Sequence, residues 1–301
     1  MNVRFGATIV QVVTFAAVLD DFRFAESIGL DNAWVIDQFS VDEAAEVTLL
    51  EAWTTLAAVA AETEQIGIGT MVTNAAMRHP AVLAKSILTV DQISGGRLVT
   101  AIGGGFYPAE HAALGIDFLD GIGRSERLRE TVEILDRGLR GDTITYSGEH
   151  VEVDKATFRP QPTQLPRPPI WVAAQGPRSM RIGARLAEGI VTLGAQNQGI
   201  ETSLPAFRAR MARADEICAE EGRDPSTLRR CYCAGWADEP IFASVEAATE
   251  IIGSYIEAGA TDFTFYLHNP AEPVLDDLVT AHRAGSRAQF EQLTATVFPM
   301  F

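Results

Sequence analysis

The sequence predicts an α/β protein, a (β/α)8 barrel of the TIM type with one short β-hairpin inserted after the fourth strand–helix pair. Three observations lead there. Short apolar strands alternate with helical segments eight times along the chain, and strands separated by helices imply a parallel sheet with right-handed crossovers. The rhythm breaks once, in a stretch of period-two alternation. The first strand–helix junction, "ATIVQVVT", carries no G-x-G-x-x-G, which argues against the alternative doubly wound sheet.

The elements follow in order. A strand over 3–9 leads to a helix over 14–28 closed by Gly29. "NAWVID" (32–37) is the second strand, before a helix over 48–63. "QIGIGTMV" (65–72) is the third, and Pro80 opens the next helix at a favourable first-turn position. "RLVTAIG" (97–103) is the fourth. "RSERLRETVEILDRGL" (124–139) is amphipathic, with Leu128, Val132, Leu135 and Leu139 at helical spacing. The hairpin spans 142–160 around Ser147-Gly148, and a proline-rich connector covers 160–169. Strands at 170–174, 189–194, 229–237 and 261–267 then alternate with helices from 178 and over 203–221, 244–258 and 273–293. All of 1–301 reads as one barrel domain.

Composition narrows the function classes. The 301 residues are 47% hydrophobic, enough for a large core, and the net charge of −16 disfavours nucleic acid and anionic lipid as partners. Three scattered cysteines give no disulfide framework and suit a reducing compartment. Cys231 and Cys233 share one strand face and read as small core residues, since no second His/Cys pair stands at zinc spacing. The first ten residues read as a strand, not a signal peptide, and apolar stretches such as "TLAAVAA" are far too short to span a membrane. The expectation is a soluble cytoplasmic protein.

In a barrel of this type the chemistry sits at the C-terminal strand ends. Those ends include Asp37-Gln38-Phe39, Met71 to Asn74, Gly103 to Tyr107, Ala173 to Ser179, Trp236-Ala237 and His268-Asn269. Gly103-Gly104-Gly105 is neither a phosphate loop of the Lys-Ser/Thr kind nor a dinucleotide fingerprint. It is compatible with a tight turn needing positive φ, or with a mouth cleared of side chains so that a flat ligand can lie on backbone. Gly176-Pro177 before Ser179 suits an anion cradle at a helix start, with Arg178 adding charge; an ordinary serine cap explains it equally. Asp37, ending an apolar strand, is either a site residue or a helix-capping or ion-paired one. His79 reads as structural, His150 and His282 as surface residues, and His111 as lining a helix start. His268 is the best-placed histidine. No Ser-His-Asp, Cys-His or paired-carboxylate constellation assembles, so a bound cofactor is expected to do the chemistry.

The segments "AESIGLDNAWVID" (25–37), "IGIGTMVTNAAMRHPAVLAKSILTVDQISGGRLVTAIGGGFYPAEHAALG" (66–115), "GRSERLRETVEIL" (123–135) and "PIWVAAQGPRSMRIGARLAEGI" (169–190) resemble the bacterial luciferase-like monooxygenase superfamily. The specific run is RHPAVLAK, LDxxSGGRL and GxGxxxxE, with Val90 here in place of the leucine. The resemblance implies a barrel binding a flavin or deazaflavin at its mouth. Within it, "GTMVTNAAMRHP" is similar to the third-strand segment of methylene-tetrahydromethanopterin reductases, which use coenzyme F-420 (8-hydroxy-5-deazaflavin) for hydride transfer.

Carried over residue by residue, the resemblance implies a non-proline cis peptide at Met71-Val72, bulging behind the cofactor ring beside Thr73. It implies that Gly103, Gly104, Gly105 and Phe106 run along the cofactor, and that Ala174, Gln175, Gly176, Pro177, Arg178 and Ser179 form its phosphate loop. Phe39, Phe106, Tyr107 and Trp236 are expected to exclude water. Two departures stand out: Gln38 follows Asp37 where many members have histidine, and Phe106 and Ala109 stand where the sugar-phosphate dehydrogenases have an acid and an asparagine. The proton relay then falls to Tyr107 or His268. The expected activity is F-420-dependent oxidoreduction of a small organic substrate. The alternatives are an FMN-dependent monooxygenase using oxygen and a non-catalytic flavin-binding relative. The family usually dimerises, so a homodimer is expected.

Overall fold

The computed structural model describes residues 2–12, 14–39, 49–268 and 283–301. Eight parallel strands close into a barrel in the order β1 (Arg4–Ile9), β10 (Asp262–Tyr266), β9 (Arg229–Cys233), β8 (Gly189–Leu193), β7 (Ile170–Ala173), β4 (Leu98–Gly103), β3 (Gly67–Asn74), β2 (Asn32–Val35). The inserted hairpin is antiparallel, β5 (Thr143–Ser147) against β6 (Glu152–Thr157). The buried Glu130 carboxylate holds its turn by accepting the amides of Glu149, His150 and Val151 at 2.7, 3.0 and 2.9 Å.

The helices form the outer ring: α1 (Phe15–Ser27), α2 (Ala52–Glu62), α3 (Pro80–Ile93), a short α4 (Pro108–Ala113), α5 (Gly121–Leu139), α6 (Pro177–Leu186), α7 (Ile200–Glu220), α8 (Val245–Glu257) and α9 (Arg287–Thr296). Their caps explain several boundaries. Asp120 accepts Gly123 N–H at 2.7 Å and starts α5 at Gly121, three residues before the expected start at 124. Ser244 caps α8. The last helix corrects the expectation of one run over 273–293. Residues 284–286 are not helical and α9 begins at Arg287, because Ser286 and Gln289 close a reciprocal cap there. Residues 273–282 of that expectation, with Asn269 and His282, lie outside the described residues.

Two apolar layers result. One fills the space between barrel and helices. The other fills the barrel itself, centred on Trp34 and Trp171 with ring centroids 5.5 Å apart. Glycines make their room: a Cβ on Gly69 would stand 2.6 Å from the Trp34 ring, and one on Gly189 2.9 Å from Trp171. Burying each indole contributes roughly 4–6 kcal/mol as an upper estimate from its area. Below them Asp262 receives Arg4 Nε at 2.8 Å and Arg229 Nε at 2.7 Å, closing the N-terminal end of the barrel.

Candidate active site

The third strand carries an irregularity at the mouth. Thr70 pairs with Thr100 and Thr73 with Ile102, so Met71 and Val72 stand opposite the single residue Ala101. The Met71-Val72 peptide is cis, as expected. The bulge is braced from behind: Trp53 Nε1 donates to Thr73 Oγ1 at 3.2 Å, and the Thr70 and Thr73 hydroxyls pair at 2.7 Å. Val72 then leans over β4, where a Cβ on Gly103 would lie 2.7 Å from Val72 Cγ2.

The three glycines turn out to serve three ends. Gly103 admits Val72. Gly104 has ordinary backbone angles, and its Cβ would meet nothing closer than the Arg124 carbonyl at 3.3 Å. Gly105 has φ +80° and lies against the Asn74 amide, so the turn reading holds for this residue alone. The turn sends Phe106 out over the mouth, 65% exposed. Half-buried Tyr107 then leads into α4, its ring centroid 6.5 Å from that of Phe106.

Beneath the turn lies a buried polar layer. Asn74 Nδ2 is 3.2 Å from His111 Nε2, and His111 Nδ1 is 3.3 Å from the Asp117 carbonyl. A carbonyl only accepts, so Nδ1 donates to Asp117, and Nε2 faces the Asn74 amide nitrogen. Glu110 accepts the Phe39 N–H at 2.5 Å, tying α4 to the loop after β2.

Asp37 is ion-paired. Arg78 reaches it from the start of α3 through both terminal nitrogens and also bonds Glu51. Burial pushes the Asp37 carboxyl up, and the Arg78 fork pulls it partly back. Half-buried Gln38 follows, then Phe39 with its ring under the Arg78 guanidinium.

On β7 the chain passes buried Ala174 and exposed Gln175 into α6. Ser179 Oγ bonds back to Gly176 N and O at 3.4 and 3.0 Å. The first intrahelical bond is Met180 N–H to Gly176 O, so the amides of Arg178 and Ser179 sit in the open helix end. A Cβ on Gly176 would meet nothing within 4 Å. Pro177 and Arg178 are exposed, and Arg178 lies 4.0 Å from Glu126.

These positions form one arc, because β2, β3, β4 and β7 are consecutive in the barrel. His268 stands apart, after β10; it is half-buried, its N–H donating to Gly285 O at 2.8 Å. Trp236 follows β9. Inside the barrel, burial pushes the Cys233 thiol up to about 12 and raises the Cys231 thiol well above its ordinary value, so both are inert core residues. Among the described residues no His/Cys/Asp/Glu cluster is arranged to hold a metal, and no helix is long and apolar enough to cross a membrane. His79 proves structural: Nδ1 caps α3, and Nε2 meets the Glu152 carbonyl at 3.2 Å.

Sequence reasoning gave no role to Arg78, Glu110 or the Asn74–His111 pair, although all stand inside the quoted motifs. Their partners come from distant strands, which spacing does not display.

Comparison with known proteins agrees with this barrel. The chain is 25% identical over 249 residues to the 5,10-methylenetetrahydromethanopterin reductase of Methanolobus tindarius, covering 82% of this chain and 69% of that one. It is 33% identical over 198 residues to the F-420-dependent glucose-6-phosphate dehydrogenase of Kineococcus radiotolerans, spanning 63% of this chain and 57% of the relative's length. The solved coenzyme F-420-dependent tetrahydromethanopterin reductase of Methanopyrus kandleri shares the fold over the whole of both chains, with a TM-score of 0.79 at 18% identity. A family model described as luciferase-like monooxygenase matches residues 2–260, which take in the bulged third strand, the glycine turn and the α6 cradle. With the family's pattern running through six-sevenths of its length, the chain belongs to the luciferase-like monooxygenases.

Proposed function

We propose that this protein is an F-420-dependent oxidoreductase acting on a small organic substrate. The observation that carries the reading is the arc over β2, β3, β4 and β7: a bulge, a cleared glycine floor and an open helix N-terminus in succession. Open space at Gly176, where an added Cβ would meet nothing within 4 Å, suits a phosphorylated tail. The related reductase and dehydrogenase, which are F-420-dependent by name, support the same choice of cofactor.

The residues divide the work as follows. The amides of Arg178 and Ser179 hold the phosphate, where helix-end N–H groups and the dipole favour negative charge. Ala174, Gln175 and Pro177 shape that loop. The backbone of Gly103, Gly104 and Gly105 carries the tail, and Met71, Val72 and Thr73 back the ring. Asp37 and Gln38 close the β2 side, with Asp37 fixed by Arg78. A bound deazaflavin supplies two-electron hydride chemistry with little reactivity toward oxygen. Tyr107 and His268 flank the opening as the groups that move the proton; Gln38 cannot titrate.

The test is anaerobic turnover of reduced F-420 with a panel of activated alkenes, imines and ketones. His268→Ala or Tyr107→Phe is expected to lower kcat by about 100-fold or more at the relay residue, with cofactor affinity kept. A second reading, an FMN-dependent monooxygenase, is favoured by the description of the family model. It requires reduced FMN and oxygen for activity.

A further inference from the structure

Phe106 and Trp236 come from loops after β4 and β9, and β7 and β8 lie between those strands in the barrel. Yet the two rings meet edge to face, with centroids 5.8 Å apart. The contact therefore arches over the mouth. Its Trp236 side is fixed from below. The Trp236 carbonyl accepts Asn197 N–H at 2.9 Å and Arg283 Nη1 at 3.2 Å. Three residues on, the buried Glu239 carboxyl takes the hydroxyls of both Tyr232 and Tyr255, whose rings stack 4.0 Å apart. Its Phe106 side is fixed by the turn at Gly105. A phenyl group so placed and still 65% exposed presents a bare aromatic face toward the opening.

Among the described residues, three arginines of the mouth loops are at least partly engaged. Arg78 serves Asp37 and Glu51. Arg124 bonds the Leu119 carbonyl and lies over the Phe118 ring. Arg283 Nη1 serves the Trp236 and Asn197 oxygens, while its buried Nε makes no hydrogen bond and lies 3.9 Å from Asp238 Oδ1. A rigid aromatic corner without a committed charge recognises a flat, uncharged partner by stacking and edge contacts.

We infer that Phe106 and Trp236 are the specificity-determining wall of the substrate pocket, selecting flat, uncharged, conjugated carbonyl compounds over anionic or saturated ones. The inference rests on the cofactor reading above, and it is tested by binding, so that each can fail alone. The probes are acetophenone, 4-acetylbenzoate (flat but anionic) and 1-cyclohexylethanone (uncharged but not flat), titrated calorimetrically into the full-length protein with and without F-420. Acetophenone is expected to bind at least tenfold more tightly than either of the others. Phe106→Ala and Trp236→Ala are each expected to weaken it about tenfold, and Trp236→Ala is expected to keep F-420 affinity within twofold of native. Three outcomes overturn the inference: equal affinity for the three probes or no binding of acetophenone; preference for 4-acetylbenzoate, which would assign the corner to Arg283; or loss of F-420 affinity in both variants, which would place the rings over the cofactor. Failure of the native protein to bind F-420, with acetophenone selectivity intact, would overturn the cofactor reading and leave the wall standing.

Discussion

Arg78 grips Asp37 through both terminal nitrogens, Nη1 to Oδ2 at 2.5 Å and Nη2 to Oδ1 at 2.9 Å, with the carboxylate almost wholly out of water. Removing one partner of such a pair leaves a buried charge uncompensated, which costs roughly 3–5 kcal/mol. Arg78→Ala should therefore lower thermal stability sharply, and adding Asp37→Asn should recover part of the loss.

The same pair has a pH signature. The Asp37 carboxyl is raised above its ordinary 3.8 by burial. A raised acid binds its proton more readily in the folded state than in the unfolded one, so its contribution to stability falls as pH rises through the folded value. Without Arg78 the shift grows. The difference in Tm between Arg78→Ala and Arg78→Ala/Asp37→Asn should narrow as pH falls from 7 toward 4. A difference that does not change with pH would contradict the charged assignment.

The neighbouring glycines should respond differently. Gly104→Leu adds a large side chain to the glycine run, with its Cβ 3.3 Å from the Arg124 carbonyl, and should abolish cofactor binding while circular dichroism stays native. Gly105→Ala combines φ +80° with a Cβ about to meet the Asn74 amide, so it should destabilise the fold by about 1–3 kcal/mol. Unfolding of the Gly104 variant would show that residue to be structural as well.

At the α6 cradle, Gly176→Val should weaken cofactor binding tenfold or more with little loss of stability, because the new Cβ meets nothing within 4 Å of the protein. Titration with F-420 reads the first effect and thermal denaturation the second. Unchanged affinity would remove the helix end from the site.

The barrel was legible because its signals are local. Apolar strands, the Ser147-Gly148 turn and helix starts at Pro80 and Ser244 can be read within a few residues. The bulge at Met71-Val72 and the cradle at Gly176 were reached through motif resemblance. What escaped was pairing across the mouth: Arg78 with Asp37, Asn74 with His111, Glu239 with two tyrosines. Such partners lie 7 to 41 residues apart for the tyrosine and arginine contacts that fix the loops, and nothing in either residue's own neighbourhood announces the other. The start of α9 escaped for a different reason, since an apolar spacing continued through Ser286 and hid the cap.

The choice between deazaflavin and flavin is the centre of the functional reading, and an anaerobic equilibrium titration of the apo-protein with F-420 and with FMN tests it most directly. The expected result is F-420 binding at least tenfold more tightly than FMN, with the affinity lost in Gly176→Val. Tighter binding of FMN, accompanied by oxygen-dependent turnover with reduced FMN, would contradict it and establish the monooxygenase.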